Sequence, residues 1–160
     1  MLRSVLSEDQ QHSRVKNAVA RFLFGALIVP KIFFDARWPP RKSGVDVLAV
    51  DRAGAGEIHI AEVKVGSADL AGAVRRLAAI PAHFKYLALF GNGSYYPSDK
   101  SLYAPDGMGR VGVIQVRENR ADELRAEFII RPERFGLDSS YFKQIDKFTS
   151  ARPADIEIRP

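Results

Sequence analysis

Cysteine is absent from the 160 residues of this sequence. That excludes disulfides and thiolate metal sites, and a reducing compartment is the simplest setting. No stretch of about 18 consecutive apolar residues occurs, so a membrane span is not expected. The best candidate, Val19 to Val29, is short and is interrupted by Arg21 and Gly25. The N-terminal residues lack the basic, apolar and small-residue succession of a secretion signal. A soluble cytoplasmic protein is the expectation. Internal repeats, low-complexity blocks, zinc-ligand spacing and a helix-turn-helix pattern are also missing. Gly91-Asn92-Gly93 is a turn and not a phosphate loop, because no Gly-Lys-Ser/Thr follows it.

What is there is an ordinary globular balance, with 46% hydrophobic and 27% charged residues. The length suits one domain, residues 1–160, with a sizeable core. A net charge of +5 and a pI near 9.6 permit binding to nucleic acid without requiring it. Ser7 can cap a first helix from Glu8 to about Gly25, with Val15, Val19, Phe22 and Leu23 at helical spacing. Strands are expected over Lys31–Arg37, Val45–Asp51 and Glu57–Val65, the last two joined through a glycine-bearing loop, Arg52–Gly56. Ser67 or Asp69 starts a second helix that ends near Pro81. Further strands are expected at Tyr86–Phe90, Val111–Val116 and Ala126–Arg131, and a helix capped by Asp138 runs through Phe148. The long segment from Gly91 to Arg110 reads as a loop. This order predicts an α/β fold with a mixed sheet flanked by helices.

The chemistry concentrates on the hairpin around Gly54. Folded symmetrically about that residue, Leu48 faces Ile60 and Asp46 faces Glu62. Side chains alternate across a strand, so Asp46, Leu48 and Val50 share a face with Ile58, Ile60, Glu62 and Lys64. Most of that face is aliphatic, yet one end carries two carboxylates and an ammonium. Burying unpaired charge is costly. A hard divalent cation would account for it, because Mg²⁺ takes oxygen ligands and keeps several waters; the alternative is a salt-bridged end of a solvated hairpin. The backbone carbonyl of Val63 could supply a further oxygen. Lys64 could orient or help deprotonate an attacking water, or stabilise charge on a pentavalent phosphorus.

Val45-Asp46, an interval of fifteen residues, then Glu62-Val63-Lys64 resembles the signature of the PD-(D/E)XK nuclease-like superfamily. Valine stands where that family often has proline. The flanking α-β-β-β-α-β order also fits a restriction-endonuclease-like core, here about residues 8–116, with 117–160 as an extension beyond it. The resemblance implies metal-dependent hydrolysis of a phosphodiester in DNA or RNA, with DNA the first candidate. Asp46, Glu62 and the Val63 carbonyl would be metal ligands for Mg²⁺, with Mn²⁺ as substitute, and Lys64 a catalytic residue. Relatives often place an acid on the first helix, which points to Glu8, with Gln11 one turn on. They often place a basic residue or a glutamine on the second helix, which points to Arg75 and Arg76, unless these form a solvated helix face. A homodimer is compatible with so small an enzyme. The alternative is a catalytically inactive module of this fold that binds nucleic acid or a protein.

Arg37, Arg41 and Lys42, flanking Trp38, could contact phosphates and stack on a base, or form an ordinary exposed loop. Tyr95, Tyr96 and Tyr103 are expected to pack over the sheet edge. His12, His59 and His83 read as structural, and His59 falls on the strand face opposite Glu62.

Overall fold

Ser7 opens the first helix, α1 (Glu8–Ala26), with a reciprocal cap. Its hydroxyl accepts from the Gln10 N–H at 3.2 Å, while the Gln10 side chain accepts from the Ser7 N–H at 2.9 Å. Two backbone donors at the helix start are thereby satisfied, and Glu8 and Asp9 occupy the turn where the helix dipole favours negative charge. The computed structural model describes residues 6–28, 30–37, 44–52, 56–66, 69–91, 102–103 and 109–157.

Three antiparallel strands follow: β1 (Pro30–Ala36), β2 (Val45–Asp51) and β3 (Glu57–Val65). Asp69 starts the second helix, α2 (Leu70–Ala79), its carboxylate accepting from the Gly72 N–H at 2.9 Å. The helix carries the chain back to β4 (Phe84–Phe90), which pairs parallel with β3. Strand β4 begins two residues before the expected Tyr86, because parallel pairing already starts at His59 opposite Phe84. This is the α-β-β-β-α-β order expected from the sequence.

Beyond it come β5 (Gly112–Glu118), β6 (Leu124–Ile130), α3 (Ser139–Ser150) and β7 (Ile156–Glu157). Asp138 caps α3 as expected, accepting from the Ser140 N–H at 2.8 Å. Among the described residues the strands form one mixed sheet in the order β6-β5-β4-β3-β2-β1-β7. The extension therefore adds an edge strand at each side of the sheet, and β7 is an element that sequence periodicity does not announce.

Each face of the sheet has its own apolar layer. Val15, Val19 and Leu23 of α1 pack on Val47, Ala61 and Val63. Ala73, Val74 and Leu77 of α2 pack on Leu48, Ile58 and Ile60, and Ile145 of α3 joins that side. Full burial of each valine, leucine or isoleucine among these contributes about 1.5–3 kcal/mol. Helices thus cover both faces, and a group at the end of the central strands can be approached from either. No described helix is long and apolar enough to cross a membrane.

Candidate functional site

The β2–β3 register pairs Val50 with Ile58, Leu48 with Ile60 and Val47 with Ala61, so the hairpin is symmetric as the sequence suggested. Gly54 itself lies outside the described residues. The paired rungs stop at Val47, one position short of Asp46 and Glu62. There the Asp46 side chain takes up the ladder: its Oδ2 accepts from the Val63 N–H at 2.7 Å.

A change of face produces this arrangement. Val45 packs in the α2-side layer and Val47 in the α1-side layer, although the two are separated by a single residue. In β1, Ala36 and Phe34 divide in the same way. These residues pair across the strands as Ala36 with Val45 and Phe34 with Val47, leaving Asp35 on the rung opposite Asp46. Asp35 has φ of 48°, a left-handed conformation that aspartate tolerates better than most side chains. Both strands therefore rotate at one rung, and Asp46 ends between the two layers.

His12 of α1 meets Asp46, while Arg76 of α2 meets Glu62 beside it. His12 of α1 places Nε2 3.6 Å from Asp46 Oδ2. On the α2 side, Glu62 Oε1 receives Lys64 Nζ at 3.3 Å and Arg76 Nη2 at 2.6 Å. A pocket of about 380 Å³ opens between Asp46, Glu62, Arg76 and the end of α2. A second, of about 490 Å³, lies on the β1 side of Asp46. Burial pushes the Asp46 carboxyl above its ordinary range. The Val63 N–H and His12 pull it back, and the charges of Glu62 and Asp35 add to the push. Asp35 is itself held by Lys16 at 2.8 Å.

A hard cation bound here would take oxygens from Asp46 and Glu62. Asp46 Oδ1 and Glu62 Oε2 accept no hydrogen bond from the described residues, and clustered carboxylates repel one another until a cation joins them. Among the described residues no three carboxylate or imidazole groups converge on one point. Two carboxylates, the Val63 carbonyl and water would then have to suffice, as Mg²⁺ tolerates.

Asp46, Glu62 and Lys64 are brought together. Glu8 is exposed, one helical turn before His12, and Gln11 is half-buried. His12, which the sequence reads as structural, is the α1 residue at the site. It continues the helical stripe of the buried Val15 and Val19 toward the N-terminus, and that stripe was the available signal. Arg76 has a partner within the site, and Arg75 is exposed on α2. Arg37 lines the second pocket. Trp38, Arg41, Lys42, Tyr95 and Tyr96 lie outside the described residues. Tyr103 donates to Glu133 at 3.0 Å, away from Asp46. His59 sits on the far face, its Nδ1 2.9 Å from the Tyr86 hydroxyl.

No family model matches the sequence, and no curated protein matches it. Among solved structures the chain is similar to Pyrococcus furiosus SfsA in complex with Ca²⁺, with a TM-score of 0.39 at 11% identity. The match covers 81% of this chain and 63% of SfsA, so the chain spans less than two thirds of that protein. A likeness at this level adds nothing to the geometry of the site.

Proposed function

We propose that this protein is a divalent-cation-dependent nuclease of the PD-(D/E)XK type, hydrolysing phosphodiester bonds of DNA or RNA. One observation carries the reading: Asp46, Glu62 and Lys64 meet where the β2–β3 ladder ends, beside an open pocket. Asp46 and Glu62 would hold Mg²⁺ or Mn²⁺, with the Val63 carbonyl as a further ligand. The bound cation would supply Lewis acidity to a phosphate oxygen and lower the pKa of the attacking water. Lys64 would hold that water by a hydrogen bond and stabilise the charge that builds on the phosphate oxygens. His12 would steady Asp46 from the α1 side. Arg76, more than half exposed, can leave Glu62 for a substrate phosphate once a cation takes its place.

The Glu62 contacts also favour a second reading. A carboxylate already matched by Lys64 and Arg76 is what an inactive module, binding nucleic acid or a protein, would keep. Cleavage of a panel of single-stranded, duplex, flapped and branched DNA, plus RNA, separates the two. The nuclease cleaves with Mg²⁺ or Mn²⁺ and loses activity in EDTA and in Glu62→Ala. No cleavage, together with no Asp46-dependent cation binding by calorimetry, would establish the inactive module.

A further inference from the structure

The pocket on the β1 side of Asp46 is lined by Asp35, Arg37, Gly44, Val45, Asp46 and Arg152. Arg152 comes from the extension, immediately after α3, and the sequence gives no hint that it belongs near the hairpin. We propose that Arg152 is a phosphate clamp, which with Arg37 seats the phosphodiester next to the one lying over Asp46 and Glu62. The inference rests on the nuclease reading above and gives the extension a role in it.

Arg152 differs from the other arginines near acids. Arg14 pairs with Glu118, Arg76 with Glu62, Arg110 with Glu133 and Arg134 with Glu57. Arg152 has no carboxylate partner among the described residues. Its guanidinium lies instead over two aromatic rings, 5.1 Å from the Phe148 centroid and 5.7 Å from that of Phe33. Stacking on a ring fixes the guanidinium plane and leaves its edge donors for a bidentate oxyanion.

The segment is also tied down. The Asp155 N–H donates to the Ile32 carbonyl at 2.8 Å, and Asp155 Oδ2 accepts from the Phe34 N–H at 2.7 Å. β7 then pairs with β1. Arg152 is thus held three residues from a double anchor on the strand that ends at the pocket. The acids there do not oppose an anion to the same degree: Asp35 is engaged by Lys16, and Asp46 accepts from the Val63 N–H with His12 beside it. About 490 Å³ accommodates a nucleotide-sized group.

The test compares wild type with Arg152→Met, which keeps the stem over the rings, and Arg152→Lys, which keeps the charge. Binding of labelled single-stranded DNA, duplex DNA and RNA is measured in EDTA across a salt series. A lost phosphate contact lowers the slope of log affinity against log salt by about 0.7–0.9. The Met variant should show that drop with several-fold weaker binding at low salt, and the Lys variant should keep the wild-type slope. In cleavage, Arg152→Met should raise KM and leave kcat nearly unchanged. A Met variant as stable as wild type, with unchanged slope, affinity and KM, overturns the clamp while leaving the nuclease reading intact. Should Arg152→Met lose stability, the comparison passes to Arg152→Gln, which keeps a planar polar head over the rings without the charge. An unchanged slope in Arg152→Gln, with the protein folded, then overturns the clamp. Wild type that neither binds nor cleaves any of the three overturns both.

Discussion

The two ends of the β2–β3 hairpin carry the same kinds of residue and do opposite things with them. At the loop end are Asp51, Glu57 and His59, with His83 packed alongside. Asp51 accepts from the Ile28 N–H at 3.1 Å, and Glu57 is met by Arg134 at 3.0 Å. His83 Nδ1 accepts from the Ile58 N–H at 2.9 Å. His59 stacks on Phe84 with centroids 4.8 Å apart, and burial pushes its pKa down to about 4. Acids here are matched, and histidines are kept neutral. At the other end Asp35 and Glu62 also have cationic partners, but Asp35, Asp46 and Glu62 crowd on neighbouring strands beside two pockets, and Asp46 Oδ1 and Glu62 Oε2 accept no hydrogen bond from the described residues. Acids and histidines in a fold are common. What singles out one group of them is like charge gathered on one side of a pocket with bonding capacity left over.

The sharpest way to break this contrast is to delete an acid at each end. Asp46→Ala or Glu62→Ala should lower cleavage about a thousandfold or more, since cation and Lewis-acid effects supply several kcal/mol to such reactions. Both variants should stay folded by circular dichroism, because removing a carboxylate from a crowded site relieves repulsion. Asp51→Ala should instead lose stability and keep its specific activity. If Asp46→Ala unfolds, both ends are structural and the contrast fails.

A smaller effect follows from His59. The folded protein keeps this ring neutral down to about pH 4, whereas the unfolded chain takes up the proton near 6.5. The unfolded state therefore binds more protons between those values. The contribution is fully present above pH 6.5 and is lost as pH falls to about 4, at most on the order of 3 kcal/mol. Burial depresses His83 as well and adds in the same direction. Urea denaturation at pH 7, 5.5 and 4.5 should show the slope in wild type and much less of it in His59→Phe. An unchanged slope in that variant would move the titration to another group.

The smallest expected effect concerns Arg76. Its ion pair with Glu62 is largely exposed on the arginine side, so it is worth at most about 1 kcal/mol. Arg76→Ala should raise Mg²⁺ affinity up to about fivefold in calorimetry, by freeing Glu62. Weaker cation binding in Arg76→Ala would mean that the guanidinium holds Glu62 in place rather than competing for it.

The hairpin was legible because its information is local. Alternation fixes which residues share a face, and symmetry about Gly54 then places Asp46 opposite Glu62. Ser7 and Asp138 were legible as caps, and Asp69 as one of two candidates, for the same reason: each bonds to a backbone group two or three residues on. His12 was not read as a site residue, because its contact with Asp46 depends on where α1 docks on the sheet. The stripe of Val15 and Val19 identifies the docking face without saying which strand end the helix start overhangs. The rotation of β1 and β2 at Asp35 and Asp46 was equally hidden, since it breaks the alternation on which strand reading depends. Arg152 lies farther still from its neighbours in the chain, and nothing in residues 151–155 marks an approach to β1.

The two-residue β7 joins Lys31 to Glu157 and Ile32 to Ile156, the most distant pairing in sequence within the sheet. Closing so long a loop is entropically expensive, so this seam is expected to form late in folding. Until it does, β1 presents unpaired N–H and C=O groups, with Ile32, Phe33 and Phe34 beside them, to any strand that passes. The interval in which the β1 edge is bare is therefore the interval in which these molecules are most prone to stick to one another. Substitutions that loosen the Asp155 anchor would lengthen it, and their first symptom would be poor recovery on refolding at high concentration.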